Sequence, residues 1–153
     1  MELDAASKKI LHVLQQDGRV TIQDLAERVG LSTSPCWRRL KDLEASGLIR
    51  GYAALLDRRK TGLDLCVIVQ VTLARHEEGA VEAFEAEIRK CREVVECYEM
   101  TGDADYILKI LMPDIEAFNR FLHDTLLKIP GISQLRSSVA LKEIKYETAL
   151  PVF

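Results

Sequence analysis

Two amphipathic stretches, Thr21–Val29 and the one that Ser34 opens and Gly47 ends, are separated by little more than Gly30, Leu31 and Ser32. That spacing constrains the chain more than any other feature. Thr21 with Asp24 three residues on is a capping box, and Leu25, Ala26 and Val29 form an apolar stripe behind it. Gly30 is where a left-handed residue ends a helix. Pro35 suits the first helical position of the next stretch, because its missing N–H would be unpaired there, and Ser34 is then the cap. Two short helices across so tight a turn cannot lie side by side in parallel. They are joined by a tight Gly-containing turn and braced by an earlier helix. Asp4–Gln16, with Ile10, Leu11 and Leu14 on one face and Asp17-Gly18 at its end, supplies that helix. The expectation is a helix-turn-helix.

The second helix carries the chemistry. Cys36, Leu40 and Leu43 share its inner face. Trp37 lies on one flank, Arg38 and Lys41 lie opposite the apolar face, and Arg39 lies on the other flank. A basic, aromatic-edged front turn at this place in a helix-turn-helix is what meets base edges, and the hydroxyls before it can hold a phosphate. Thr33, Ser34, Pro35, Trp37, Arg38, Arg39 and Lys41 are therefore the candidate duplex-DNA contacts. The alternative reading of the charges is a solvated helix face. Trp37 could equally pack onto the first helix, and Cys36 reads as a small buried hydrophobe.

Overall charge does not announce a nucleic-acid binder, since the formal net charge is −3. The distribution is more informative. Residues 1–60 hold 11 Lys and Arg against 8 Asp and Glu, whereas residues 61–153 hold 10 against 16. A basic part followed by an acidic part implies two modules with different partners. Arg58 to Gly62 reads as a polar hinge, and Tyr52–Leu56 as a strand or extended connector. The expected division is a DNA-binding domain over 1–50, a connector over 51–62, and a second domain over 63–153.

The second domain reads strand, helix, strand, strand, helix, strand. Leu65–Ala74 is β-rich, and Glu78–Cys91 places Val81, Phe84 and Ile88 on one helical face. Val94–Met100 and Tyr106–Met112 flank the turn "TGDAD". Asp114 caps a helix whose Phe118, Phe121, Leu122, Leu126 and Ile129 point inward, and Ile132–Tyr146 is the last strand. Its apolar parity switches near Lys142-Glu143, which predicts a bulge there. The fold class is α+β: a winged-helix-like helix-turn-helix followed by a ferredoxin-like βαββαβ domain.

Several function classes find no support. Cys36, Cys66, Cys91 and Cys97 form no C-x-x-C pair, so metal and disulfide readings are weak. His12, His76 and His123 show no nucleophile–base spacing, and nothing motivates catalysis. No apolar run approaches a membrane span or a leader peptide, and a reducing cytoplasm is the expected compartment.

The quoted segments "LDAASKKILHVLQQDGR", "LAERVGLSTSPCWRRLKDLEASGLIRGY", "TGDADY", "KIPGI" and "LKEIKYETALP" together resemble the Lrp/AsnC family of feast/famine transcription regulators. The resemblance covers nearly the whole chain. It implies a DNA-binding head, an extended connector, and a C-terminal domain that binds a small amino acid and assembles dimers, with an octamer of four dimers expected. No other cofactor and no metal are implied. By matching the motif, it places the amino acid at Gly102, Asp103, Ala104, Asp105 and Tyr106, with Tyr98 and Thr101 before the turn, Ile115 after it, and Val139 and Ala140 on the last strand. Ser137 and Ser138 add candidate hydroxyls. Turn N–H groups would take the ligand carboxylate and Asp105 its ammonium, in a pocket completed by a neighbouring dimer. Two other readings stand beside this one: an effector-independent nucleoid-type DNA-binding protein, and the regulatory subunit of a metabolic enzyme.

Overall fold

The computed structural model describes residues 3–74 and 79–152. They form two compact units. One contains the chain up to Leu55 together with the segment from Lys145 onwards, and the other is Leu56–Ile144. The expected C-terminal block of 63–153 differs from this at its end, because the last residues group with the head.

The head is three helices, α1 (Ala5–Gln16), α2 (Ile22–Val29) and α3 (Thr33–Ala45). Asp4 caps α1 by accepting the Ser7 N–H at 2.8 Å. Thr21 caps α2 by accepting the Asp24 N–H, and its hydroxyl donates to the Asp24 carboxylate at 2.8 Å. Gly30 takes the left-handed conformation (φ 74°), which only glycine adopts without strain, and its N–H closes the helix on the Ala26 and Glu27 carbonyls. Ile10, Leu11, Leu25, Ala26, Val29, Cys36 and Leu43 bury one core.

The start of α3 corrects the sequence reading. The N-cap is Ser32 and makes no side-chain cap bond, so Pro35 is the third helical residue and not the first. The reason is that the first turn of a helix leaves its N–H groups unpaired, so proline fits any of its positions. The first bond of the helical ladder, Cys36 N–H to the Ser32 carbonyl, falls just beyond it.

Past α3 no strand forms before Leu65, so Tyr52–Leu56 is irregular rather than a strand. The Asp57 carboxylate accepts the Arg59 and Lys60 N–H groups and fixes the polar turn there.

The second unit is β1 (Leu65–Leu73), α4 (Ala80–Ile88), β2 (Val94–Glu99), β3 (Tyr106–Met112), α5 (Ile115–Asp124), a 3₁₀ turn at Leu126–Lys128, and β4 (Ile132–Val139). The sheet order is β2-β3-β1-β4, antiparallel throughout, which is the ferredoxin-like arrangement. Strand alternation sends Val67, Val69, Val71, Leu73, Tyr106, Leu108, Ile110 and Met112 to one face. There they bury with Phe84, Ile88, Phe118, Phe121, Leu126 and Ile129. Among the described residues of this unit, both helices bury their apolar side chains on that one face.

Three details of this unit differ from the sequence reading. Val81 is exposed and Ala80 takes the inward position with Phe84 and Ile88; the expected helix start at Glu78 lies outside the described residues, as does His76. The last strand stops at Val139 and does not run to Tyr146. Leu141 is 97% exposed and Ile144 82%, because no partner strand meets them. The bulge lies at the other end of β4. Thr72 pairs with Gln134 but Leu73 with Ile132, leaving Ser133 extra, and the Ser133 hydroxyl donates to the Thr72 carbonyl at 3.0 Å.

Candidate nucleic-acid interface and effector site

The front of α3 is a wet, charged surface. Trp37 is 53% exposed. Thr33, Ser34 and Arg38 are exposed beside it, and Pro35 is half-buried. The three cations differ. Arg39 is ion-paired to Asp4, the cap of α1. The Ser7 N–H and hydroxyl, and then the Arg39 guanidinium, hold the Asp4 carboxyl down at about 2. Lys41 pairs with Glu44 at 2.7 Å, and Glu44 also accepts from the Tyr52 hydroxyl at 3.0 Å. Desolvation and that carboxylate push the Tyr52 phenol up to about 12. Arg38 makes no ion pair among the described residues. Cys36 is fully buried and burial pushes its thiol up, so it is a neutral packing residue.

The turn between β2 and β3 is closed by Met100 N–H to the Asp105 carbonyl at 2.8 Å, leaving Thr101 to Ala104 as its tip. Gly102 sits at φ 119°, so the tip needs a glycine. Asp105 has a structural task that the sequence did not reveal. Its N–H donates to the Val71 carbonyl at 2.9 Å, and its carboxylate accepts the Leu73 N–H at 2.7 Å. The β1–β3 ladder ends at Val71–Tyr106, and the Asp105 side chain carries the hydrogen bonding of β1 two residues further. Tyr106 is likewise turned away from the tip. It is buried against Phe84 with ring centroids 4.7 Å apart, and its hydroxyl donates to Glu85 at 3.3 Å. Desolvation and Glu85 push that phenol up to about 12.

The remaining expected ligand contacts do not come together in one chain. Tyr98 pairs with Ile107 near the turn, on the face away from α4 and α5. Val139 pairs with Val67 at the far end of the sheet, and the Ala140 N–H reaches the Cys66 carbonyl there. Ile115 begins α5 just past Met112, also at the far end. Met112 lies six residues beyond Tyr106, which puts the start of α5 about 20 Å along the sheet from the turn at ~3.4 Å per residue; Val139 is level with Ile110, and Ser138 and Ser137 lie nearer still. Ser137 and Ser138 diverge, because Ser137 pairs with Val69 on the helix side and Ser138 with Ile68 on the open side.

What does lie beside the turn is a set of polar side chains that sequence reasoning missed. Gln70, Thr72, Gln134 and Arg136 line a cleft of about 90 Å³ together with Asp103 and Ala104. Gln70 faces Arg136 and Thr72 faces Gln134 across β1 and β4. Only the even parity of these positions, against apolar Val69, Val71 and Leu135, could have signalled them.

No group of three or more potential metal ligands occurs among the described residues, and no helix there is long and apolar enough to cross a membrane. The described chain thus consists of a three-helix head and a ferredoxin-like unit with a polar turn. Comparison with known proteins gives the family. Residues 66–150 match the Lrp/AsnC ligand binding domain, and residues 3–50 match a winged helix-turn-helix DNA-binding domain. The leucine-responsive regulatory protein of Salmonella typhimurium is 40% identical over 151 residues, covering 99% of this chain and 92% of that one. A transcriptional regulator of Neisseria meningitidis, solved as a complex with L-methionine, is 46% identical with a TM-score of 0.94, covering 98% and 97% of the two chains. An AsnC family transcriptional regulator from Agrobacterium tumefaciens is 41% identical with a TM-score of 0.93, covering 97% of each. The chain belongs to the Lrp/AsnC family of transcription regulators.

Proposed function

We propose that this chain is a cytoplasmic regulator of amino-acid metabolism genes that changes its grip on DNA when it binds an apolar amino acid. The observation that carries the DNA half is the exposed Trp37–Arg38 pair at the front of α3, with Thr33 and Ser34 before it. Two heads are needed to read a palindrome, at one helical turn or a multiple of it. Arg39 and Lys41 stay in the candidate interface, where DNA phosphates would compete with their present carboxylate partners.

The effector is an apolar amino acid of the leucine or methionine type. The support is the relatives, one leucine-responsive and one solved with L-methionine. The pocket takes the Thr101–Ala104 tip and Tyr98 from one chain. It takes Ile115, Ser137, Ser138, Val139 and Ala140 from a neighbouring copy, as the family resemblance implies; Ile115, about 20 Å along the sheet from the turn, cannot reach an amino acid held by its own chain's tip. A site shared between copies makes ligand binding and assembly interdependent. Large apolar side chains left in water, Leu56, Leu127, Leu141 and Ile144 among them, favour an assembly of dimers, an octamer of four by the family pattern.

The test is binding to an operator-bearing duplex across a salt series, with and without L-leucine or L-methionine. Binding that weakens steeply with salt and shifts with the amino acid supports the reading. Binding indifferent to every amino acid points instead to a nucleoid-type protein.

A further inference from the structure

The chain passes between the head and the sheet unit twice, out after Leu55 and back at Lys145. Both legs are fastened at the head. The side-chain amide of Gln15, on α1, donates to the Leu150 carbonyl at 3.1 Å and accepts the Leu150 N–H. Such a two-bond pairing copies what a neighbouring strand would offer, so it holds the backbone whatever the side chain. Leu150 is 73% exposed, and Val152 packs against the head core. On the outgoing leg the Tyr52 ring lies beside Gly18, where a Cβ would stand 3.4 Å from it. The Tyr52 hydroxyl donates to Glu44, on α3, at 3.0 Å. Leu14, Gln15, Tyr52, Leu150 and Val152 line one cavity of about 270 Å³, so the two fastenings are neighbours. At the sheet unit the same two legs meet again, with the Arg58 guanidinium 3.9 Å from the Glu143 carboxylate. Arg58 also donates to the Leu63 and Asp64 carbonyls. Arg58 comes six residues after Tyr52 and Glu143 seven before Leu150, so the legs are matched in length.

We infer that these two segments form a two-legged strap that carries the head, with Gln15 as the positioning residue that pins the returning leg. The strap rests on the DNA-binding reading and adds what limits the reach of a head. A single flexible linker lets a head explore many positions, and its effective concentration at a second half-site then varies smoothly with spacing. Two matched legs joined at both ends bar most of that range. Heads carried in this way accept half-sites only near one helical turn apart or a multiple of it. The pins differ in strength. Glu143 is exposed, so its pair with Arg58 contributes little and weakens further with salt. The Gln15 amide is uncharged and half-buried, and its two bonds are indifferent to salt. Gln15 is therefore the stronger pin.

The test uses the full chain as wild type, Gln15→Ala and Glu143→Lys, with two readouts. The first is amide-hydrogen exchange of the peptide containing Leu150, read by mass spectrometry without DNA. Exchange should run at least tenfold faster in Gln15→Ala than in wild type, and equal rates would overturn the strap. The second is affinity for duplexes bearing two copies of a half-site that wild type selects from a random pool. The spacing of the copies is stepped by single base pairs through one helical turn. Wild type should show at least tenfold contrast between the best and the worst spacing. Gln15→Ala should fall below threefold and Glu143→Lys part of the way. Both should keep affinity for a single half-site within twofold of wild type. Wild-type contrast in either variant would overturn the proposal. So would a loss of single-half-site affinity equal to the loss of contrast, since Gln15 would then serve the head's fold alone. Wild type that binds no duplex, with slow exchange at Leu150, would overturn the DNA-binding reading and leave the strap standing.

Discussion

The head and the sheet unit leave different chemistry in water. In the head the apolar stripes of three helices close on one another, and what remains outside on α3 is charge, hydroxyl and one indole edge. In the sheet unit one face is sealed by α4 and α5. The other face and both ends expose leucine, isoleucine, tyrosine and valine. A charged surface such as the front of α3 suits a polyanion, whose binding weakens as counterions compete. Apolar surface suits another protein surface, whose attraction salt weakens little. The difference teaches that DNA affinity and self-association can be separated by ionic strength alone.

The largest effect separates the two cores. Phe84 is fully buried in the sheet unit and Ile10 in the head. Phe84→Ala should cost ~3–5 kcal/mol and Ile10→Ala ~2–5 kcal/mol of the stability of the unit concerned. Phe84→Ala should lower ligand-dependent thermal stabilisation and assembly first, and Ile10→Ala should lower DNA binding first. Calorimetric melts beside DNA titrations read this. Equal loss of both properties in both variants would show that the units unfold as one.

A second comparison lies within α3. Arg38→Ala should weaken operator binding by ~1–3 kcal/mol if it touches a base, with relaxed preference at that position. Arg39→Ala should act differently, lowering the melting temperature of the free protein through the lost bond to Asp4. Melting and DNA titration of both variants at two salt concentrations check this. An Arg38→Ala protein with unchanged affinity and preference would remove Arg38 from the interface.

The head was readable in the sequence because its signals are short-range. Thr21 and Asp24 are three residues apart, Gly30 stops its own helix, and the stripes repeat at helical spacing. Even so, three consecutive hydroxyl residues, Ser32, Thr33 and Ser34, could each precede a helix, and Pro35 fitted any position of the first turn. The sheet unit gave up its element order by the same logic, but its site did not follow. The parity of Leu141, Ile144 and Tyr146 looked like strand, yet a strand needs a partner that sequence cannot name. The bond from Asp105 to Leu73 spans 32 residues, and that between Gln15 and Leu150 spans 135. Gln70 and Arg136 are adjacent only because β1 and β4 pair.

The caps offer a comparison between units at smaller cost. Thr21 starts α2 in the head and Asp114 starts α5 in the sheet unit, where it accepts the Ala117 N–H at 2.7 Å. Each replaced by alanine should cost ~1 kcal/mol. Chemical denaturation of the two variants, read by a probe in each unit, should show each loss in its own unit.

The smallest effect is a charge in the head that pH can remove. Asp4 has its pKa lowered to about 2, first by the Ser7 N–H and hydroxyl and then by Arg39. A carboxyl whose folded pKa lies below its unfolded value stabilises above the unfolded value, near 4, and loses that contribution as pH falls through 2. Asparagine at this position still accepts the Ser7 N–H as a cap, so Asp4→Asn removes mainly the attraction to Arg39 and to the α1 N-terminus. The variant should therefore melt slightly below wild type at neutral pH, and the gap should close between about pH 4 and pH 2. Added salt should narrow the gap at pH 7, because both partners are exposed. A gap that persists unchanged at pH 2 would mean that the asparagine perturbs the cap itself, and that the charge on Asp4 contributes nothing to holding α1 against α3.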